Sequence, residues 1–126
     1  MTYDGVSGTL TVAAIQATPV VLDRAATMEV AAGHVVAADA ELIVFPESFV
    51  PGYPDWVWRR PPMSDGDWYA RFVANAVRVE SADLDPVRDA AREAGAWVAL
   101  GITERTRSDT LYNSVVYVGP TGEIAG

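Results

Sequence analysis

The sequence predicts an α/β fold organised around a mostly parallel sheet. Three observations carry the prediction. Short apolar runs rich in β-branched residues, such as Leu10 to Ile15 and Leu42 to Phe45, lack the alternation of a half-exposed strand. Runs of that kind suit strands covered on both faces. Segments with helical spacing separate them. The order is strand, helix, strand, helices, strand, strand, and the first three strands need crossovers long enough for helices, which makes them parallel.

Each element has its own signal. Residues 1–9 are small, polar and glycine-containing and read as a flexible lead-in, leaving 10–126 as the folded part. The first strand is broken by Gln16 to Pro19. Asp23 can cap a helix running to about Ala38, with Met28, Ala31, Ala32, Val35 and Ala38 on one apolar face. Arg24, Thr27, Glu29 and His34 fall largely off that face. The second strand, Leu42 to Phe45, is stopped by Pro46. Residues 46–67 then form a long loop containing Pro46, Pro51, Pro54, Pro61 and Pro62, through which regular structure cannot run.

Trp68 to about Val79 reads as helical, with Phe72, Ala76 and Val79 in line. Asp85 and Pro86 open another helix that ends at Gly95, proline sitting well in a first turn. Trp97 to Thr103 is a third strand, and Arg105 to Thr110 a polar turn. Ser114 to Val118 is a fourth strand, closed by the turn Gly119-Pro120-Thr121-Gly122. The chain stops at Gly126, where a further strand or loop would be expected.

Composition excludes several functions. Half the residues are hydrophobic, enough for a core, yet the longest apolar runs fall far short of the ~20 residues a spanning helix needs. Met1 to Gly8 lacks the basic residues of a secretory signal, so a cytoplasmic protein is the default expectation. The net charge is −8 and all nine basic residues are arginine. That balance disfavours nucleic acid and anionic membrane surfaces as partners. There is no cysteine, and His34 is the only histidine. Disulfides, thiolate metal sites and a three-histidine zinc centre are therefore excluded within these residues, and no metal or cofactor is expected. The first strand leads into Gln16-Ala17-Thr18-Pro19, which lacks the glycine-rich turn of a dinucleotide site.

Glu47 is the residue that position alone singles out. It lies just past the carboxyl end of the second strand, where ligands gather in open α/β sheets. Phe45, Phe49, Val50 and Tyr53 surround it in sequence, and desolvation there would raise a carboxylate into a range useful for proton transfer. It is expected to be partly buried and held by the loop that follows. The plainer reading is a glutamate that caps a loop amide or faces solvent. Glu104 also lies past a strand end. The two carboxylates could form an acid–base pair of the glycosidase kind, with a separation of roughly 5–9.5 Å. The commoner role for Glu104 is an ion pair with Arg105, Arg107, Arg59 or Arg60. Phe49, Tyr53, Trp56 and Asn113 are candidate pocket residues. Loop aromatics such as Tyr53, Trp56 and Trp58 are more often simply core, and an asparagine before a strand more often fixes a turn.

Three segments taken together resemble the nitrilase superfamily of carbon–nitrogen hydrolases. They are Val12 to Thr18 (VAAIQAT), Glu41 to Pro54 (ELIVFPESFVPGYP) and Leu100 to Gly122 (LGITERTRSDTLYNSVVYVGPTG). The second is the most specific, because a hydrophobic run, Pro-Glu and Gly-Tyr-Pro stand at fixed spacing. Asp55-Trp56-Val57-Trp58 and the Glu104-Arg105 pair resemble nitrilases more than the amidase branches.

The resemblance implies the first half of a four-layer α-β-β-α sandwich and a Glu-Lys-Cys site. In that family a cysteine thiolate attacks a nitrile or amide carbon, a glutamate acts as base, and a lysine stabilises the tetrahedral species. Glu47 matches the base. The lysine and cysteine lie further along in family members, and these 126 residues contain neither. The resemblance also implies a small nitrile or amide as substrate and a homo-oligomer as the complete protein. It implies as well that the chain is a fragment or a truncated product, inactive by itself.

Overall fold

A computed structural model describes residues 8–64 and 66–126 of the chain. Most of the expected flexible lead-in, residues 1–7, lies outside the described residues. Four strands form one sheet in the order β1-β2-β3-β4. They are β1 (Val12–Ala14), β2 (Leu42–Val44), β3 (Trp97–Arg105) and β4 (Leu111–Val118). β1, β2 and β3 are parallel, and β4 runs antiparallel to β3. The helices are α1 (Arg24–Ala37), α2 (Gly66–Asn75) and α3 (Asp85–Ala94). This is the α/β order read from the sequence.

Local chemistry explains the helix ends. The Asp23 carboxylate accepts from the Ala26 amide, satisfying one of the free N–H groups at the start of α1. Gly95 ends α3 at φ 63°, a left-handed turn that suits a residue without a Cβ. Thr27 differs from expectation. It is fully buried, because its hydroxyl donates to the Val20 carbonyl and has no need of water. α2 is shorter than its apolar spacing suggests. The chain leaves it so that Val77 can join the edge of β3, its amide donating to Thr103 and its carbonyl accepting from Arg105.

One face of the sheet makes the core. Ile43, Val98, Leu100, Ile102, Val116 and Val118 point to that face and pack on Met28, Ala31 and Val35 of α1 and Val87 and Ala91 of α3. The other face is largely uncovered, and among the described residues only Phe72 of α2 reaches it, beside Leu111. Val12, Trp97, Val115 and Tyr117 stand on it about half exposed. After β4 the chain turns at Gly119–Gly122 and comes back along its outer edge. There the Tyr117 amide donates to the Gly126 carbonyl and the Ala125 amide to the Tyr117 carbonyl. No helix among the described residues is long and apolar enough to cross a membrane.

Candidate active site

The loop after β2 is a bulge in the sheet. The Phe45 amide donates to the Ala99 carbonyl, and the next contact with β3 is made by Val50, whose amide donates to the Gly101 carbonyl. The four residues between, Pro46 to Phe49, leave the ladder and return. Phe49 turns inward, is buried, and packs on Phe45 with ring centroids 5.2 Å apart. Burial of a phenylalanine is worth about 1.5–3 kcal/mol, so Phe49 anchors the bulge. Glu47 turns outward at its crest. Ser48 beside it has φ 46°, a left-handed conformation that costs a non-glycine residue roughly 1–3 kcal/mol and is stored mostly at functional sites.

Glu47 is exposed, and its setting is not the half-buried one expected. The bulge lifts it clear of the apolar side chains that neighbour it in sequence. Its carboxylate is held from the sheet instead of from the loop that follows. Asn113 of β4 donates from Nδ2 to Glu47 Oε1 at 2.6 Å. The Ser48 hydroxyl donates to Asn113 Oδ1 at 3.3 Å. Asn113 therefore sits within a strand, opposite Thr103, and does not fix a turn.

A cleft of about 280 Å³ opens beside the carboxylate. Glu47, Ser48, Thr103 and Asn113 give it one polar end. Tyr53, Trp58, Phe72 and Tyr112 give it aromatic walls, with Pro54, Val57 and Leu111 completing the lining. Of the pocket residues read from the sequence, Tyr53 and Asn113 line the cleft. Phe49 lies in the core. Trp56 is buried behind the wall, 5.3 Å from Phe72 and 5.7 Å from Trp68 between ring centroids. Its indole nitrogen is buried and has no hydrogen-bond partner among the described residues. Tyr112 and Leu111 come from the start of β4, which extends three residues earlier than its apolar run.

Glu104 lies elsewhere. It accepts a hydrogen bond from Ser114 at 2.8 Å, and the ion pairs of the described residues do not include it. Asn113 and Ser114 are successive strand residues and point to opposite faces. The carboxylate that Asn113 reaches and the one that Ser114 reaches are thus on opposite sides of the sheet, which removes the glycosidase-like pair. A larger hollow of about 610 Å³ adjoins Glu104, between Arg78–Ser81 and Arg105–Ser108. Its arginines are engaged: Arg78 and Arg105 with Asp109 at 3.0 and 2.9 Å, and Arg107 with Glu80 at 2.5 Å. The hydrogen bond from Arg105, with that from Arg78, draws the Asp109 carboxyl below its ordinary range. The arginines of this hollow are taken up in ion pairs and its Glu104 is bound to Ser114, whereas the smaller cleft beside Glu47 joins a carboxylate to aromatic walls.

The chain is an α/β protein with a carboxylate at the carboxyl ends of its parallel strands, beside a small cleft, where ligands gather in folds of this class. The chain belongs to the carbon-nitrogen hydrolase family, whose sequence model matches residues 11–126. It is 40% identical over 116 residues to an arylacetonitrilase of Hypocrea virens, covering 90% of this chain and 34% of that protein. It is 35% identical over 120 residues to a nitrilase of Pseudomonas syringae pv. syringae, covering 93% and 35%. The chain thus spans about a third of the length of the curated relatives it matches. Solved structures share its fold. A CN-hydrolase superfamily protein of Xanthomonas campestris matches with a TM-score of 0.64 and 17% identity over 91% of this chain and 38% of that one. An amidase of Nesterenkonia sp. matches with a TM-score of 0.61 and 18% identity over 98% and 44%.

Proposed function

We propose that this chain is the amino-terminal part of a nitrile hydrolase in which Glu47 is the general base. The observation that carries the reading is the outward Glu47 carboxylate, held by Asn113 at the polar end of the cleft. The chemistry needs such a group. A thiol is mostly protonated near neutral pH and becomes a nucleophile when a base takes its proton. The thiolate adds to the nitrile carbon, water adds in turn, ammonia leaves, and a second water releases the carboxylic acid. The aromatic walls suit a substrate whose nitrile is attached to an apolar group. The arylacetonitrilase and nitrilase relatives support nitrile as the substrate class.

Amide hydrolysis is the second reading, and the amidase neighbours favour it, one of them a variant solved in complex with acrylamide. In either reaction the lysine and the cysteine come from outside these residues, which contain neither. By itself the chain is then catalytically silent, and the working enzyme is a cytoplasmic homo-oligomer.

The test is to continue the reading frame beyond Gly126 and assay the product for ammonia release. A lysine followed by a cysteine, with nitrile turnover lost in Glu47→Gln, is the expected result. Turnover of amides without nitriles selects the second reading. An unaffected Glu47→Gln enzyme rejects Glu47 as the base.

A further inference from the structure

The hydrogen bonds around Glu47 assign a role to a residue that does not itself react. We infer that Asn113 is a positioning residue, holding the Glu47 carboxylate in the attitude a base needs, with Ser48 setting the orientation of the Asn113 amide. The inference rests on the reading of Glu47 as the base. Asn113 is exposed, and a free side chain there would wander among rotamers. Instead it makes two bonds to consecutive residues of the bulge, Nδ2 to Glu47 Oε1 at 2.6 Å and Oδ1 from Ser48 Oγ at 3.3 Å.

The polarity of this chain of bonds has one solution. An ionised carboxylate can only accept, so it takes the amide's NH2 group. The carbonyl end must then face Ser48, whose hydroxyl supplies the donor. Asn113 is in turn fixed by the β3–β4 ladder, in register with Thr103, so the sheet and not the loop sets where the carboxylate stands. Without this tie the crest of the bulge is held through its two flanks, the ladder bonds of Phe45 and Val50 and the buried Phe49.

The chemistry of the clamp also fits. Among the described residues Glu47 has no ion-pair partner, and Asn113 engages one of its two oxygens. A guanidinium in place of Asn113 would hold the carboxylate as a counter-ion. A neutral amide orients it and leaves Oε2 to accept a proton. An asparagine does not titrate, so the clamping group itself keeps its charge and its donor at any pH.

Two measurements test the role. In the 126-residue chain, one Asn113 side-chain amide proton, read by proton–nitrogen NMR, is expected downfield of ordinary asparagine amides. Glu47→Ala is expected to return it to the ordinary position, and an amide indifferent to that substitution overturns the proposal. In the complete hydrolase, Asn113→Ala is expected to lower kcat on the order of 10- to 100-fold with KM within about threefold, as for a misplaced reacting group. Asn113→Asp keeps the shape but loses the donor, and is expected to give no rescue. A change confined to KM makes Asn113 a substrate contact and removes the positioning role. Turnover kept in Glu47→Gln removes the reading beneath the proposal. Turnover lost in Glu47→Gln but kept in Asn113→Ala removes the proposal alone.

Discussion

Gly101 lies directly beneath the main chain of Glu47. A Cβ built on Gly101 would stand 3.0 Å from the Glu47 Cα, 2.9 Å from the Ser48 nitrogen and 2.1 Å from the Pro46 carbonyl oxygen. These are backbone atoms, which cannot swing aside as the end of a flexible side chain can. The bulge that lifts Glu47 out of the sheet therefore requires bare backbone on the strand below it. This ties a residue of β3 to a carboxylate more than fifty positions earlier, with no side-chain contact between them.

Gly101→Ala should displace the bulge and weaken the fold by about 1–3 kcal/mol, the usual cost of inserting a methyl where there is no room. Urea denaturation of the variant gives the stability change. The more specific outcome is the Asn113 side-chain amide, whose link to Glu47 should be lost even where the variant remains folded. A Gly101→Ala chain with wild-type stability and an intact Asn113 signal would show that the bulge has slack the contacts do not indicate.

The 126-residue chain, expressed alone, is expected to release no ammonia from nitriles or amides. Under the proposed reading Glu47 activates a thiol, and these residues contain no cysteine to supply one. Glu47→Ala provides the background. Release above that background would mean that the sheet end carries chemistry of another kind.

The face of the sheet opposite α1 and α3 predicts the chain's behaviour in solution. Val12 is 51% exposed, Trp97 44%, Val115 50% and Tyr117 50%, all on one surface. Contiguous apolar area of this sort drives association at about 25 cal/mol per Å² buried. The net charge of −8 opposes it, and salt screens that charge. Light scattering should therefore show self-association that grows with ionic strength, and Val115→Lys combined with Tyr117→Lys should reduce it. A compact monomer at all salt concentrations would contradict the expectation.

What the sequence revealed follows the range of the interactions. Asp23 as a cap and Gly95 as a stop were legible because each acts within its own helix. The parallel pairing of β1, β2 and β3 followed from the length of their connections. Thr27 was misread because its hydroxyl is satisfied by a carbonyl in the preceding turn, which periodicity does not register. The end of α2 was misplaced because Val77 is claimed by β3, a tertiary pairing that overrides helical spacing. At the site, Glu47 was visible from its position after a strand. Asn113 was named as a pocket residue, but its bond to Glu47 was not legible, because the two are 66 residues apart and meet only through the register of β4 on β3. Loop aromatics are ambiguous for a related reason. Phe49 and Trp56 went to the core while Tyr53 and Trp58 went to the cleft, a choice made by the turns of the loop and not by residue type.

The Asp109 network should show in acid. Hydrogen bonds from Arg105 and Arg78 draw its carboxyl below the ordinary value, so the folded state favours the ionised form. The stabilisation is then fully present above the unfolded value of about 3.9 and is lost as pH falls through the lowered folded value. Asp109→Asn should melt slightly below wild type near neutrality, with the gap closing in acid below that range. The site is exposed, so the gap should be small and should narrow in salt. A gap that persisted unchanged at low pH would point to packing and not charge.

The two strand-end carboxylates can be separated in the complete hydrolase. Glu47→Gln keeps the side chain's shape, and its amide oxygen can still accept from Asn113, so the clamp and the fold should survive. What disappears is the capacity to take a proton. General-base assistance is typically worth 10²–10⁴-fold, and kcat should fall by about that factor while the melting temperature stays near wild type. Glu104→Gln makes the opposite case. Its oxygen can still accept from Ser114, it has no ion pair among the described residues to lose, and it sits on the α1 and α3 side of the sheet, away from the cleft. Both turnover and stability should remain close to wild type. Melting curves for the two variants must accompany the rates, since a loss of rate through unfolding carries no information about the base. An inactive Glu104→Gln beside an active Glu47→Gln, with both folded, would move the base to the other face of the sheet and overturn the assignment of the cleft.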